Sequence, residues 1–146
     1  METIRFYRVN DPYGCFSNFA PYEIEMEGTR WPTSEHYFQA QKFESAEAKK
    51  EIREDSSPMN AARRGRNRKW PLRPDWEQVK DQVMYEAVKA KFTQHADLKE
   101  NILSTGDSTI IEHTDNDRYW ADGGDGSGKN MLGQILMRVR EELRKE

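Results

Sequence analysis

The sequence predicts a helix-rich α+β fold built as one domain over residues 1–146. Six segments have the apolar spacing or the capping residues of helices, whereas strand-like alternation is confined to short stretches, mainly near the start of the chain. A chain of 146 residues is long enough for one hydrophobic core and too short for two ordinary domains. We therefore expect helices packed around a small β-sheet supplied mainly by the N-terminal segment.

Alternation of apolar and polar residues marks the predicted strands. Residues 3–9 alternate roughly, and residues 22–28 do so cleanly, with Tyr22, Ile24 and Met26 on one side and glutamates on the other. The segment "STIIEHT", residues 108–114, predicts one further short strand.

Capping residues and glycines locate the predicted helices. Thr33 or Ser34 can cap a helix that runs to about Phe43, and Asp75 can cap the longest helix. Pro58 suits the first turn of another helix, because proline there loses no hydrogen bond. The predicted helices cover residues 34–43, 46–55, 57–66, 76–95, 96–106 and 130–146.

Composition indicates a folded chain with a highly charged surface. Apolar residues make up 35% and charged residues 34%, a balance seen in disordered chains, but four Trp, six Tyr and six Phe are too many for disorder. A net charge of −3 gives no general attraction to nucleic acid or anionic membranes. Cys15 is the only cysteine, the N-terminus has no hydrophobic signal core, and no apolar run reaches the ~20 residues of a membrane span. We expect a cytoplasmic protein without a membrane partner.

Three polar residues fall on one face of the first predicted helix. Glu35, Gln39 and Lys42 are spaced by four and three residues, so a carboxylate, an amide and an ammonium lie in line. Such a stripe can hold a small ligand, but a solvated helix face with an ordinary ion pair has the same spacing. The spacing alone favours the solvated face.

A basic run extends from Arg63 to Arg73, with six cations and no anion. Arginine binds phosphate through two parallel hydrogen bonds, which makes Arg64 and Arg68 candidates for binding the phosphate of a small molecule. Nucleic acid fits less well because the chain as a whole is acidic. A solvated helix end, neutralised by nearby acids, is an equal alternative.

No metal site is predicted from the sequence. The histidines His36, His95 and His113 are far apart, and no pair of His or Cys residues has the spacing of a zinc site. Nothing near Cys15 would activate its thiol. We expect neither a metal nor another cofactor.

A glycine-rich loop precedes the last predicted helix, in the segment "DRYWADGGDGSGKNML" at residues 117–132. Gly123, Gly128 and Lys129 match a phosphate-binding P-loop, but Asn130 replaces the Ser or Thr that would hold magnesium. Nucleoside triphosphate hydrolysis is therefore a poor interpretation. The loop can still bring backbone N–H groups to an anion at the start of a helix.

Trp120 and Asp122 lie immediately before this loop. An indole next to a carboxylate suits a ligand with an aromatic base, which would stack on the indole, and a sugar that develops positive charge. A surface turn rich in Gly and Asp is about equally compatible with this stretch alone.

Five motifs follow one another along the chain: "FSNFAPYEI", "WPTSEHYFQAQKF", "SSPMNAARRGR", "VMYEAVKAKF" and "EHTDNDRYWADGGDGSGKNMLGQILMRVRE". Together they closely resemble the NADAR, or YbiA-like, family of N-glycosidases, from about residue 4 to residue 142. The resemblance implies a helix-rich single domain that binds ribose-phosphate or ADP-ribose-type ligands and hydrolyses N-glycosidic bonds without a metal.

The resemblance also implies catalytic residues. The essential glutamate of the family, in a Trp-x-x-x-Glu-His motif, corresponds to Glu35, and a Trp-Gly-Asp-Gly motif falls on Trp120 to Gly123, with Ala121 in place of the usual glycine. Glu35 and Asp122 are the expected catalytic residues. The expected substrate-binding residues, from the motifs and the patterns above, are Ser17, Asn18, Gln39, Lys42, Arg64, Arg68, Trp120, Gly123, Lys129 and Asn130.

Two substrate classes are named for the family: phosphoribosylamino-pyrimidine intermediates of riboflavin synthesis, and ADP-ribosyl groups on guanine. The expected partner is therefore a small ribose-phosphate or ADP-ribosyl compound, with ADP-ribosylated nucleic acid as an extension of the second class. A non-catalytic binding module for NAD or ADP-ribose is the alternative. Only hydrolysis requires Glu35 and Asp122 for more than affinity.

Overall fold

The computed structural model describes residues 2–146, which contain six α-helices and four short strands. These residues form two compact units, one of residues 2–20 and 92–146 and the other of Pro21–Lys91. The predicted α+β class is confirmed, while a single domain over residues 1–146 stays a prediction. Within residues 2–146, no helix is both long enough and apolar enough to span a membrane.

The strands and helices are short, apart from one long helix. The strands form two separate two-stranded sheets rather than the one sheet expected from the sequence. The strands are β1 (Thr3–Phe6), β2 (Ile24–Met26), β3 (Thr29–Trp31) and β4 (Thr109–Glu112). The helices are α1 (Ser34–Ala40), α2 (Ala46–Glu54), α3 (Pro58–Arg66), α4 (Trp76–Gln94), α5 (Ala96–Ser104) and α6 (Met131–Arg144), and a 3-10 turn covers Gly14–Phe16.

In the first unit, β1 pairs in parallel with β4, with Ile4 opposite Ile110. Helix α6 packs on β4, and a β-carbon at Gly133 of α6 would overlap the carbonyl oxygen of Ile110. The absence of a side chain at Gly133 therefore lets the helix approach the strand closely. This contact fixes both ends of the glycine-rich loop, which connects β4 to α6.

In the second unit, β2 and β3 form an antiparallel hairpin. Glu27 and Gly28 occupy its turn with φ angles of 53° and 80°. Two successive positive φ angles are typical of the tight turns that join twisted strands. The strand predicted over residues 22–28 is therefore cut short at Met26 and reverses direction.

Helix α1 is the centre of the second unit, where it packs against α2 and α3. All seven of its residues are buried. Thr33 caps it, because its Oγ1 accepts a hydrogen bond from the backbone N–H of His36 at 3.1 Å. The His36 ring contacts Thr33 Oγ1 at 2.7 Å and the carbonyl oxygen of Asp55 at 2.8 Å, which ties α1 to the end of α2. His36 thus has the structural role of a buried, hydrogen-bonded imidazole.

Candidate active site

Glu35 and Gln39 form a hydrogen-bonded pair one turn apart on α1. The Gln39 Nε2 donates to Glu35 Oε2 at 2.6 Å, and the two residues are only 7–8% exposed. Burying a carboxylate is costly unless it is hydrogen-bonded, so this bond helps to hold the negative charge in place. The face predicted from spacing exists, but it is buried and not solvated.

Gly65 of α3 lies directly against the amide of Gln39. The Gln39 Oε1 is buried and has no conventional hydrogen-bond partner within residues 2–146. It occupies the position that a β-carbon at residue 65 would take. Its neighbour is therefore a Cα–H group of Gly65, which is a weak donor.

Lys42 lies in the turn that follows α1, two residues after the helix ends, and belongs to a group of charges. Burial lowers the pKa of Lys42 from 10.5 to about 8, although the negative charge of Glu35 acts in the opposite direction. The positive charges of Arg68 and Arg66 lower this pKa further. Glu77, like Glu35, acts in the opposite direction, so two carboxylates and three cations influence one another in this region of the second unit. Such a group of cations is suited to binding a phosphate.

The two predicted arginines of the basic run have different surroundings. Arg64 pairs with Asp55 at 2.9 Å and with Glu51 at 3.3 Å, so its guanidinium is engaged on α2. Arg68 instead donates to the carbonyl oxygen of Gly65 at 2.9 Å, and its charge acts on Lys42. The geometry favours Arg68 over Arg64 as a phosphate ligand.

Asp122, in the first unit, is buried with 4% exposure and accepts three hydrogen bonds. Its Oδ2 faces His113 Nδ1 at 2.7 Å, and its Oδ1 accepts from the backbone N–H groups of Thr114 and Gly124 at 3.1 and 2.9 Å. Burial by itself would raise the pKa of Asp122, but the hydrogen bonds from His113, Gly124 and Thr114 outweigh burial and lower it. Asp122 is therefore an ionised carboxylate that holds the loop and one imidazole.

His113 is a residue of this site that sequence reasoning missed. It directly follows β4, and its side chain is 46% exposed although Nδ1 is held by the buried Asp122. Because the Asp122 carboxylate can only accept a hydrogen bond, the proton of the His113 ring is placed on Nδ1. Its short sequence separation from Asp122, across the start of the loop, was the signal that could have revealed the pair.

Trp120 and Lys129 are placed around Tyr119. The rings of Tyr119 and Trp120 meet edge to face with 4.9 Å between centroids, and Lys129 Nζ lies 5.0 Å from the centre of the Tyr119 ring. The backbone N–H of Trp120 donates to Asp117 Oδ1 at 2.8 Å. Trp120 is thus held at the start of the loop by Asp117 and packs against Tyr119, whose ring also contacts a cation.

The residues of the glycine-rich loop suit the backbone conformation at their positions. Gly123 has a φ of 75°, which favours glycine. Ala121 is fully buried and is not among the residues of 2–146 with positive φ, so its methyl group replaces the usual glycine of the motif without backbone strain. The Asn130 side chain accepts from the backbone N–H of Glu112 and donates to the carbonyl oxygen of Ile110, both at 3.0 Å, which favours a structural role.

Ser17 and Asn18 follow the 3-10 turn of the first unit and are 4% and 7% exposed. The Ser17 Oγ accepts from the backbone N–H of Phe19 at 3.1 Å. The predicted site residues therefore fall into two groups, one in each unit. Within residues 2–146, no three His, Cys, Asp or Glu side chains converge as metal ligands would.

Comparisons with known proteins agree with these features. The model of the NADAR domain matches residues 5–144. The chain is 58% identical over 140 residues to the N-glycosidase YbiA of Shigella boydii, covering 96% of this chain and 88% of that protein. It is 42% identical over 142 residues to a riboflavin biosynthesis protein of Vibrio vulnificus, covering 97% of this chain but 39% of that longer protein.

A solved structure is also similar. The NMR structure of the Escherichia coli protein YbiA superposes with a TM-score of 0.91 at 56% sequence identity, covering 99% of this chain and 86% of that chain. At this identity, the helices and the residues of both groups are expected to have equivalent positions in the two proteins.

Proposed function

Because the chain belongs to the NADAR family, we propose that it cleaves the N-glycosidic bond between a ribose phosphate and an aminopyrimidine or guanine-type base, without a metal ion. The predicted family is confirmed, and so is the predicted enzyme class, a hydrolase acting on N-glycosyl bonds. The substrate and the independence from metal are the proposed part.

The observation that carries the proposal is the buried Glu35 carboxylate, held by Gln39 in the same charged group as Lys42. Hydrolysis of an N-glycoside passes through a sugar with positive charge at its anomeric carbon, while the electron pair of the broken bond moves to the nitrogen of the base. A fixed carboxylate stabilises that cation and can accept a proton from the attacking water. We assign this role to Glu35.

Cations on the same side of the second unit support a phosphate in the substrate. Lys42 and Arg68 influence each other electrostatically, and no carboxylate pairs with Arg68 in the hydrogen bonds of residues 2–146. Two neighbouring cations repel each other, and a dianionic phosphate between them would remove that repulsion. We propose that they bind the phosphate of the ribose.

In the first unit, Trp120 offers a flat surface on which an aromatic ring can stack. Lys129 lies over the ring of the neighbouring Tyr119. Asp122 was expected to contact the ribose or the water, but both of its oxygens are already engaged. We propose that Asp122 has a positioning role, in which it holds the loop and the His113 ring.

The two substrate classes share the ribose and the aminopyrimidine part of the base. The riboflavin biosynthesis relative favours a phosphoribosylamino-pyrimidine as the first substrate to test. ADP-ribosylated guanine is the second, since it would present the same sugar and a similar ring.

Mass spectrometry of the released base tests this function. Wild-type protein, Glu35→Gln and the surface control Glu47→Gln would each be incubated with chelator and either phosphoribosylamino-pyrimidine or ADP-ribosylated guanosine. We expect wild type and Glu47→Gln to release free base from one substrate, and Glu35→Gln to be slower by ~10²–10⁴-fold. Intact substrates in all tubes, with binding detected by calorimetry, would instead indicate a binding module. Cleavage only after metal is restored would contradict metal independence.

A further inference from the structure

Gly65 makes two contacts with the group of charged and polar residues around Glu35. Its Cα side lies against the amide of Gln39, and its carbonyl oxygen accepts a hydrogen bond from Arg68 at 2.9 Å. One backbone position of α3 therefore contacts both the partner of the proposed catalytic carboxylate and a proposed phosphate ligand.

The contact with Gln39 requires the absence of a side chain. A β-carbon at residue 65 would overlap Gln39 Oε1 and would lie 2.7 Å from Gln39 Cδ, whereas carbon atoms in contact are ~3.5–4.0 Å apart. The three nearest atoms to such a β-carbon all belong to Gln39. Any residue other than glycine would therefore push specifically on this amide.

The amide has one orientation in which its contacts are satisfied. An ionised carboxylate can only accept hydrogen bonds, so the NH₂ group of Gln39 must face Glu35 and the amide oxygen must face away. The oxygen then needs space, and the bare backbone of Gly65 provides that space. Moving the amide would lengthen or break the 2.6 Å bond to Glu35.

We propose that Gly65 is a positioning residue of the hydrolase, which sets the Glu35 carboxylate through the side chain of Gln39. This inference rests on the proposed role of Glu35. Gly65 does not touch the reacting atoms, and its hydrogen bond to Arg68 uses the backbone carbonyl, which a β-carbon leaves in place. A side chain at residue 65 would fill the space that the Gln39 amide oxygen needs, and should therefore affect the chemical step more than phosphate binding.

A double-mutant cycle tests the proposal with the substrate that wild type cleaves. Gly65→Ala should lower kcat by ~10- to 100-fold, because small displacements of a catalytic group have effects of this size, while KM stays close to that of wild type. Gln39→Ala should lower kcat similarly. In the Gln39→Ala background the overlapping Oε1 and Cδ are gone and only Cβ, at 3.2 Å, remains close, so the added Gly65→Ala change should have little further effect on kcat. Met59→Ala, at an exposed position of the same helix, is the control.

Different outcomes separate this inference from the proposed function. If Glu35→Gln is inactive but Gly65→Ala has the kcat of wild type, Gly65 does not position Glu35 and the proposed function stands. Equal loss of kcat from Gly65→Ala in both backgrounds would also refute the inference, since the effect would not pass through Gln39. If wild type cleaves and Glu35→Gln matches it, the proposed function fails. If Gly65→Ala alone does not fold, the double variant must still fold and must have the kcat and KM of Gln39→Ala. A double variant that does not fold, or that has a lower kcat than Gln39→Ala, would overturn the inference.

Discussion

The lowered pKa of Lys42 makes a quantitative prediction about the pH dependence of catalysis. With a pKa of about 8 in place of 10.5, roughly nine-tenths of the molecules carry the ammonium at pH 7 and about one-tenth at pH 9. If the ammonium binds the substrate phosphate, only the protonated form is competent. We expect kcat/KM, which reports the free enzyme, to be level near pH 7 and to decrease above about pH 8 towards roughly tenfold per pH unit. The substrate phosphate titrates near pH 6, well below this range.

Lys42→Arg separates this effect from other groups that titrate. A guanidinium stays protonated to about pH 12, so the decrease near pH 8 should disappear from the profile of Lys42→Arg, even if its maximum is lower because of the changed shape. Lys50→Arg, at an exposed position of α2, should keep the wild-type profile. Initial rates between pH 6 and pH 10, with circular dichroism at each pH to confirm folding, provide the assay. A Lys42→Arg profile with the same decrease as wild type would refute the reasoning.

Three further predictions concern the other described contacts. His113→Ala should destabilise the fold by about 1–3 kcal/mol in urea unfolding, because it removes the 2.7 Å hydrogen bond to the buried Asp122 carboxylate; unchanged stability would contradict the structural importance of this pair. Burial lowers the pKa of His36 below 6.5, so the unfolded chain binds more protons than the folded protein at low pH. The contribution of neutral His36 to stability is therefore present above pH 6.5 and decreases as the pH falls below it. Urea unfolding at two pH values should show a smaller pH dependence of the unfolding free energy for His36→Gln than for wild type. Arg68→Ala should raise KM, whereas Arg64→Ala should change KM little and destabilise the fold by about 1 kcal/mol, because the Arg64 side chain is 46% exposed. Equal KM values for the two variants would contradict the assignment of Arg68.

Local chemistry explains which parts of the fold were predictable. Thr33 caps α1 and Pro58 begins α3 as predicted, since capping depends on neighbouring residues only. The pairing of β1 with β4 was not predicted, because the two strands are far apart in sequence and alternation does not identify a partner. The hairpin was missed because Glu27 and Gly28 continue the polar–apolar alternation up to the point where the backbone reverses.

In the candidate site too, features that depend on neighbouring residues were predictable, and features that depend on tertiary packing were not. The alignment of Glu35 and Gln39 followed from helical periodicity, but their burial did not, because periodicity does not show what covers a face. Lys42 was expected on the same helix, but α1 ends at Ala40. The spacing of residues does not single out Gly65, because its main contact is with Gln39 of another helix. Such a role depends on tertiary packing and has no local signal in a single sequence.

The electrostatics around Lys42 indicate why this arrangement points to ligand binding rather than to stability. Burial disfavours the charge on Lys42, and so do the neighbouring Arg68 and Arg66. Glu35 and Glu77 compensate only in part, since the pKa of Lys42 still decreases to about 8. A fold selected for stability alone would replace such a lysine by an apolar residue, because a buried charge without full compensation is costly. A substrate phosphate would supply the missing negative charge, so the free-energy cost present in the unliganded protein becomes binding energy when substrate arrives. The incomplete compensation of Lys42 is thus itself an argument that the second unit binds an anion.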